Sequence, residues 1–350
     1  VFLEIGTDEG LKGVFGPTSD AVAYIIATQL RELLLGKDPL ASELLWDQMH
    51  RSLVHGRQGE AMWAVSVVDS ALWDLKGLVF EAPVHKLIGG PTRQEVPAYA
   101  SMLGYDVEDQ GLVRQRAKET QNAGYTAQKW FFRHGPMSGP EGLDKNVALV
   151  KTLRETLGDH DAIMLDCWQS MDVPYVLSLA ERIAEYRPFW LEECVMPDRI
   201  SSYRRIKDKI SIPLSGAEHE YTRWGFKRFI DAEALDIIQP DIYWCGGLSE
   251  TLKIAAYASV HDLIVIPHGG STHATLPFSF AQSPIHTPYQ EFLLKWNKIN
   301  QHFLKNKLVP QNGVFSLSDQ PGMNMALAED YIESEEEIFP PGDYSEAHPH

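Results

Sequence analysis

Basic side chains are scarce in this sequence: 31 Lys and Arg stand against 48 Asp and Glu, a formal charge of −17. Nucleic acids and anionic membranes bind basic faces, so neither is expected as a partner. Nowhere is there a run of about 20 apolar residues, the length a membrane helix needs, and the opening VFLEIGTDEG has no basic-then-apolar leader. The expectation is a soluble, cytosolic protein. Cysteine is also rare. Cys167, Cys194 and Cys245 are an odd number, far apart and without a CxxC pair, which excludes a disulfide framework and a cysteine-type zinc or redox motif. Reduced thiols that serve packing are expected. The chain lacks a P-loop, a dinucleotide fingerprint and any repeat at a fixed period, so a nucleotide cradle and a solenoid are not indicated.

What is present is ordinary globular material, 44% hydrophobic and 23% charged over 350 residues, enough for one large core and a smaller one. The pattern changes near residue 95. Before it, a strand-like VFLEI, before which a further strand is expected, leads into a mainly helical unit (1–95). Segments 20–35 and 60–76 carry apolar residues at helical spacing, such as Met62, Val65, Val68, Leu72 and Leu75. Gly77 is expected to stop the second helix. From 96 to 300, short β-branched runs alternate with amphipathic stretches at 142–157, 174–186, 222–232 and 247–261. The runs are VPAYASM, AQKWFFR, AIMLDCW, FWLEEC, IPLSGAE, DIIQPDIY, LIVIPHG and QEFLLKW. Eight strands alternating with helices predict an α/β fold, a (β/α)8 TIM-like barrel. Residues 301–350, with the acidic run ESEEEIFPPGDYSE, are expected to form a solvated segment strapped across the N-terminal unit.

In such barrels the C-terminal strand ends face the active site. Those ends carry Lys129, Asp166, Glu192, Glu218, Asp241, His268 and Glu291, which core packing does not produce. Asp166, Glu192 and Glu218 follow one another at intervals of 26 residues, one βα unit each. Three converging carboxylates repel unless a cation lies between them, and oxygen-only ligands select a hard ion such as Mg²⁺. The bland alternative, each acid paired with a nearby Lys or Arg, loses force when three recur in consecutive units. Glu193 should point away from the side that Glu192 faces, and Glu220 lies past its strand, so both rank lower. Asp241 on the neighbouring strand can hold the Nδ1–H of His268 and make it a general base. The histidines at 261, 273, 286 and 302 end no strand and are taken as ordinary polar residues. His55, Arg57 and His219 are candidate contacts to a sugar or carboxylate.

Taken together, VVDSALWDLKG (67–77), APVHKLIGG (82–90), MLDCW, WLEEC, SGAEH, QPD with CGG, VIPHGG and YQEFLL resemble the enolase superfamily, and within it the mandelate-racemase-like acid-sugar dehydratases. HGRQG (55–59), FFRHGP (131–136) and QPDIYWCGG are most similar to the L-rhamnonate dehydratases. The resemblance implies an α+β capping domain built from the N-terminal region and the C-terminal tail. It also implies Mg²⁺ held by Asp166, Glu192 and Glu218, a His268–Asp241 dyad, and a homo-oligomer. The implied reaction is loss of water from a small acid-sugar substrate to give a 2-keto-3-deoxy acid. Glu291 matches the acid that helps the enolate oxygen and, if protonated, would donate to it.

One departure bears on the chemistry. Many racemase-like members have Lys-x-Lys on the second barrel strand, where this chain has Lys129-Trp130-Phe131. A two-base racemisation then lacks one base, whereas a dehydratase works with His268 alone. Lys129 is expected as a carboxylate or hydroxyl contact. A cycloisomerase or epimerase shares the enolate step, and a non-catalytic sugar-acid-binding barrel is the reading outside catalysis.

Overall fold

The computed structural model describes residues 1–336, so the acidic run is described only over Glu333–Glu336 and its remainder lies outside the described residues. Two strands, β1 (Leu3–Gly6) and β2 (Lys12–Phe15), form an antiparallel hairpin. It packs on the helix Glu60–Val79, which is apolar nearly all round because the barrel helix Gly247–Ser259 covers another side. Two acids on this helix tie the parts together. Asp74 accepts the N–H of Val14 at 3.0 Å and of Met323 at 2.7 Å, and Asp69 accepts the N–H of Ser249 at 3.0 Å.

Gly77 does not stop this helix, which runs on to Val79. A Cβ on Gly77 would fall 2.4 Å from the Cα of Gly322. The residue is small because the returning C-terminal segment crosses the helix there. Segment 20–35 is also not one regular helix: Asp20–Ile25, capped by the Ser19 hydroxyl, passes through a π turn at Ile26–Leu30 into Arg31–Leu34.

The eight remaining expected strands all form. They are β3 (Glu95–Ser101), β4 (Ala127–Phe131), β5 (Ala162–Asp166), β6 (Trp190–Glu192), β7 (Leu214–Gly216), β8 (Ile237–Ile238), β9 (Ile264–Val265) and β10 (Gln290–Leu293). They pair in parallel in the order β10-β3-β4-β5-β6-β7-β8-β9, with a helix after each, as a (β/α)8 barrel. Between β9 and β10 the ladder is interrupted, and the Val265 N–H reaches the carbonyl of His286 instead. A last strand, β11 (Val314–Ser316), lies antiparallel on β3 before the chain returns to the helix carrying Gly77.

Period-two alternation sets the height of the functional groups inside the barrel. Tyr99, Ala127, Met164, Trp190, Ile237 and Ile266 pack into an apolar floor. Two residues on from three of these come Lys129, Asp166 and Glu192, on the same inward face and one layer nearer the C-terminal mouth. Among the described residues no helix is long and apolar enough to cross a membrane.

Candidate active site

Lys129, Asp166, Glu192 and Glu291 are all buried at the mouth of the barrel. The Lys129 ammonium lies among the acids, in contact with Glu192 Oε1, 3.0 Å from Glu291 Oε1 and 3.6 Å from Asp166 Oδ2. The other oxygens are also engaged. Asp166 Oδ1 accepts the Trp168 N–H at 2.7 Å, Glu192 Oε2 accepts from Trp190 Nε1 at 2.9 Å and Gln239 Nε2 at 3.0 Å, and Glu291 Oε2 accepts the Gly269 N–H at 2.8 Å.

Glu218 lies two residues past β7, and its Oε2 is buried with no hydrogen-bond partner. His268 Nε2 is 3.6 Å away, beyond hydrogen-bond reach, and His219 Nδ1 is 3.4 Å from Oε1. His268 is fixed from its other side, with Nδ1 2.6 Å from Asp241 Oδ2. Asp241 Oδ1 in turn accepts the Tyr243 N–H at 2.7 Å. Gly270 completes this corner, because a Cβ there would come within 2.6 Å of Asp241 Oδ2.

The electrostatics follow from burial and excess negative charge. Burial pushes the carboxyls of Asp166, Glu192 and Glu218 up, and their mutual repulsion adds to it. Burial would lower Lys129, but Glu192, Glu291 and Asp166 hold it well above its ordinary value. Burial also opposes the charged form of His268; Glu218, Glu291 and Asp241 outweigh it and raise the imidazole to about 10. Glu291 moves the other way: burial is overcome by Lys129, His268 and the Gly269 N–H, and it is held at about 2. The protonated, donating Glu291 considered from the sequence is therefore not its state in the free site, where it is an accepting carboxylate.

Among the described residues no three His, Cys, Asp or Glu side chains already enclose a metal-sized space. The donor set nevertheless fits a hard cation: all its ligands are oxygen, and a buried oxygen of Glu218 is unpartnered. The negative charge also exceeds what Lys129 and His268 offset.

Glu193 differs from expectation. β6 ends at Glu192, and Glu193 turns with φ +46°, so alternation no longer applies to it. Its Oε1 accepts the Ala217 N–H at 2.7 Å, and its Oε2 lies 2.9 Å from Gln169 Nε2 and 3.3 Å from His219 Nδ1. His219 is thus held at the rim by Glu193 and Gln169; burial would lower its pKa, but Glu193 and Glu218 outweigh burial and raise it. His55 and Arg57 are exposed, and Arg57 donates to the His50 carbonyl at 2.9 Å. Among the contacts of the described residues, neither reaches the acids or His268.

The sequence reading also passed over Trp244, whose ring lies 5.0 Å from that of His268 and 5.4 Å from that of His219. Its place in QPDIYWCGG, three residues after Asp241, was the available signal. Phe131 lies beside Lys129, whose Nζ is 5.7 Å from the centre of its ring. The three cysteines are buried, with Cys167 Sγ 3.9 Å from Cys194 Sγ, as packing residues should be.

The profile of the enolase C-terminal domain-like family matches residues 112–331, and that of the mandelate racemase / muconate lactonizing enzyme N-terminal domain matches residues 1–89. An L-rhamnonate dehydratase from Saccharopolyspora erythraea is 35% identical, over 93% of this chain and 82% of its own. The crystal structure of rhamnonate dehydratase from Gibberella zeae complexed with Mg superimposes with a TM-score of 0.86 at 31% identity, covering 94% of this chain and 80% of that one. The 3,6-anhydro-D-galactonate cycloisomerase from Zobellia galactanivorans gives 0.84 at 28% identity, covering 94% and 92%.

Proposed function

The chain belongs to the enolase superfamily, and from that membership we propose that it is a Mg²⁺-dependent hydro-lyase that removes water from an acid sugar, L-rhamnonate first among them. The observation that carries the mechanism is the orientation of His268. Its Nδ1 is locked on Asp241, while its Nε2 points at Glu218 and Glu291, 3.6 and 4.0 Å away.

In this reading Asp166, Glu192 and Glu218 would hold Mg²⁺, whose positive charge beside the substrate carboxylate would make the α-proton more acidic. His268 Nε2 takes that proton from its neutral form, reached once the charge of Glu218 is offset, and leaves an enediolate. The same nitrogen, now protonated, returns a proton to the hydroxyl departing from the next carbon. Asp241 keeps the proton on Nδ1 throughout, so that Nε2 is the working atom. The Lys129 ammonium faces the carboxylate end, where charge develops, and is a further donor there. Phe131 offers no second base, so the reading favours elimination over racemisation.

The test is a panel of acid-sugar stereoisomers incubated with Mg²⁺ in D₂O. A 2-keto-3-deoxy acid that reacts with semicarbazide is the expected product. An epimerised acid without a keto acid refutes the reaction class. A 3,6-anhydro sugar acid is included in the panel; its conversion to a ring-opened isomer of unchanged mass, with no open-chain acid dehydrated, favours cycloisomerisation, the second reading that the Zobellia likeness keeps in view.

A further inference from the structure

One hydrogen bond holds an imidazole at one corner and leaves it free to tilt about that bond. His268 has one such bond, to Asp241. What faces the rest of its ring is an indole. The Trp244 ring lies 5.0 Å from that of His268 with 32° between the planes, and 5.4 Å from that of His219 at 34°. Trp244 is itself stacked on Trp63, 5.5 Å away at 18°. Trp63 belongs to the long helix Glu60–Val79, which the hairpin and a barrel helix hold in place.

We propose that Trp63 and Trp244 are positioning residues, through which the N-terminal unit sets the tilt of the His268 and His219 rings in the barrel mouth. The turn that carries Trp244 is tied to the same acid as His268, because the Trp244 N–H donates to the Asp241 carbonyl at 2.9 Å. Beside the indole lies a cavity of about 220 Å³ lined by Trp244, Tyr243, Pro17, Ser271, Asn300 and Leu304. Removing the indole enlarges that cavity and takes the packing from one face of each ring, leaving His268 with its hydrogen bond to Asp241 and His219 with Gln169 and Glu193. This inference rests on the reading of His268 as the base only for its effect on rate; the ring geometry is independent of the reaction.

The experiment uses Trp63→Leu, Trp244→Leu, the double variant and Trp244→Phe in the full chain. Activity is followed on the acid sugar with Mg²⁺, and the downfield proton resonance of His268 Nδ1–H is recorded without substrate. Trp244→Leu is expected to lower kcat about 100-fold with little change in KM, since a small misplacement of a reacting group costs that order. Trp63→Leu lowers kcat less, the double variant is no worse than Trp244→Leu alone, and Trp244→Phe restores most of the rate. The resonance should broaden in both leucine variants and stay sharp in the phenylalanine variant. Additive losses, a rise in KM alone, or a resonance as sharp as wild type in Trp244→Leu each overturn the proposal. Should no acid sugar be turned over by the wild type, the dehydratase reading fails while the resonance still decides this one. If Trp244→Leu does not fold, Trp63→Leu and Trp244→Phe carry the same comparison.

Discussion

Asp241 Oδ2 and His268 Nδ1 lie 2.6 Å apart on the loops that leave the adjacent strands β8 and β9. Because Asp241 also accepts the Tyr243 N–H, it cannot turn away from the ring without breaking a buried bond. The pair therefore acts as one unit. His268→Asn is expected to lose elimination and solvent exchange of the α-hydrogen together, by about 10²–10⁴-fold, while metal binding survives. Asp241→Asn should be severe but milder. Undiminished exchange in His268→Asn, measured by deuterium incorporation, would make another group the base, with Lys129 the first to examine.

A second expectation concerns the cation. Chelation should abolish turnover and added Mg²⁺ should restore it, since the buried carboxylates exceed the positive charge around them. Glu218→Gln removes a charge but keeps the size of the side chain whose Oε2 is unpartnered. It should weaken Mg²⁺ binding, read by calorimetry, with the circular dichroism unchanged. Full turnover in excess EDTA would refute the metal assignment.

The positions of the acids were legible in the sequence because a barrel strand obeys period two and ends where the active site begins. Asp166 and Glu192 close β5 and β6 as that rule requires. The rule fails within two residues, where the chain leaves the strand: Glu193, one residue past β6, and Trp168, two past β5, both take positive φ, and a left-handed residue redirects its side chain. Gly77 was misread for a related reason. Its role is the close passage of Gly322, a contact 245 residues away in sequence that no local pattern encodes. The ionised state of Glu291 was likewise hidden, because it depends on how near Lys129 comes.

Lys129→Met tests that nearness. The ammonium is 1% exposed and pairs with three carboxylates, and removing one partner of a buried pair costs about 3–5 kcal/mol. Without a divalent cation the variant should melt well below the wild type. Added Mg²⁺ should narrow the gap, because Asp166 and Glu192 then have another counter-charge. On the substrate, KM should rise more than kcat falls. A melting temperature unchanged in EDTA would show that the acids do not depend on Lys129.

The last expectation uses a histidine outside the chemistry. His273 is buried, its Nε2 lies 2.9 Å from the Asn306 carbonyl, and burial lowers its pKa from 6.5 to about 4. The unfolded chain therefore takes up a proton in a pH range where the folded one does not. The associated stability is complete above pH 6.5 and is lost as pH falls toward 4, about 3 kcal/mol in all, of which about 2 kcal/mol is gone by pH 5. His273→Gln keeps a donor for Asn306 but cannot titrate. Urea unfolding of both proteins in the same buffers isolates this one group, because every other titrating residue is common to them. The variant should be the less stable protein at pH 8, and its deficit should shrink by about 2 kcal/mol at pH 5. A deficit that stays constant between the two pH values would mean that His273 titrates in the folded protein much as it does in the unfolded chain.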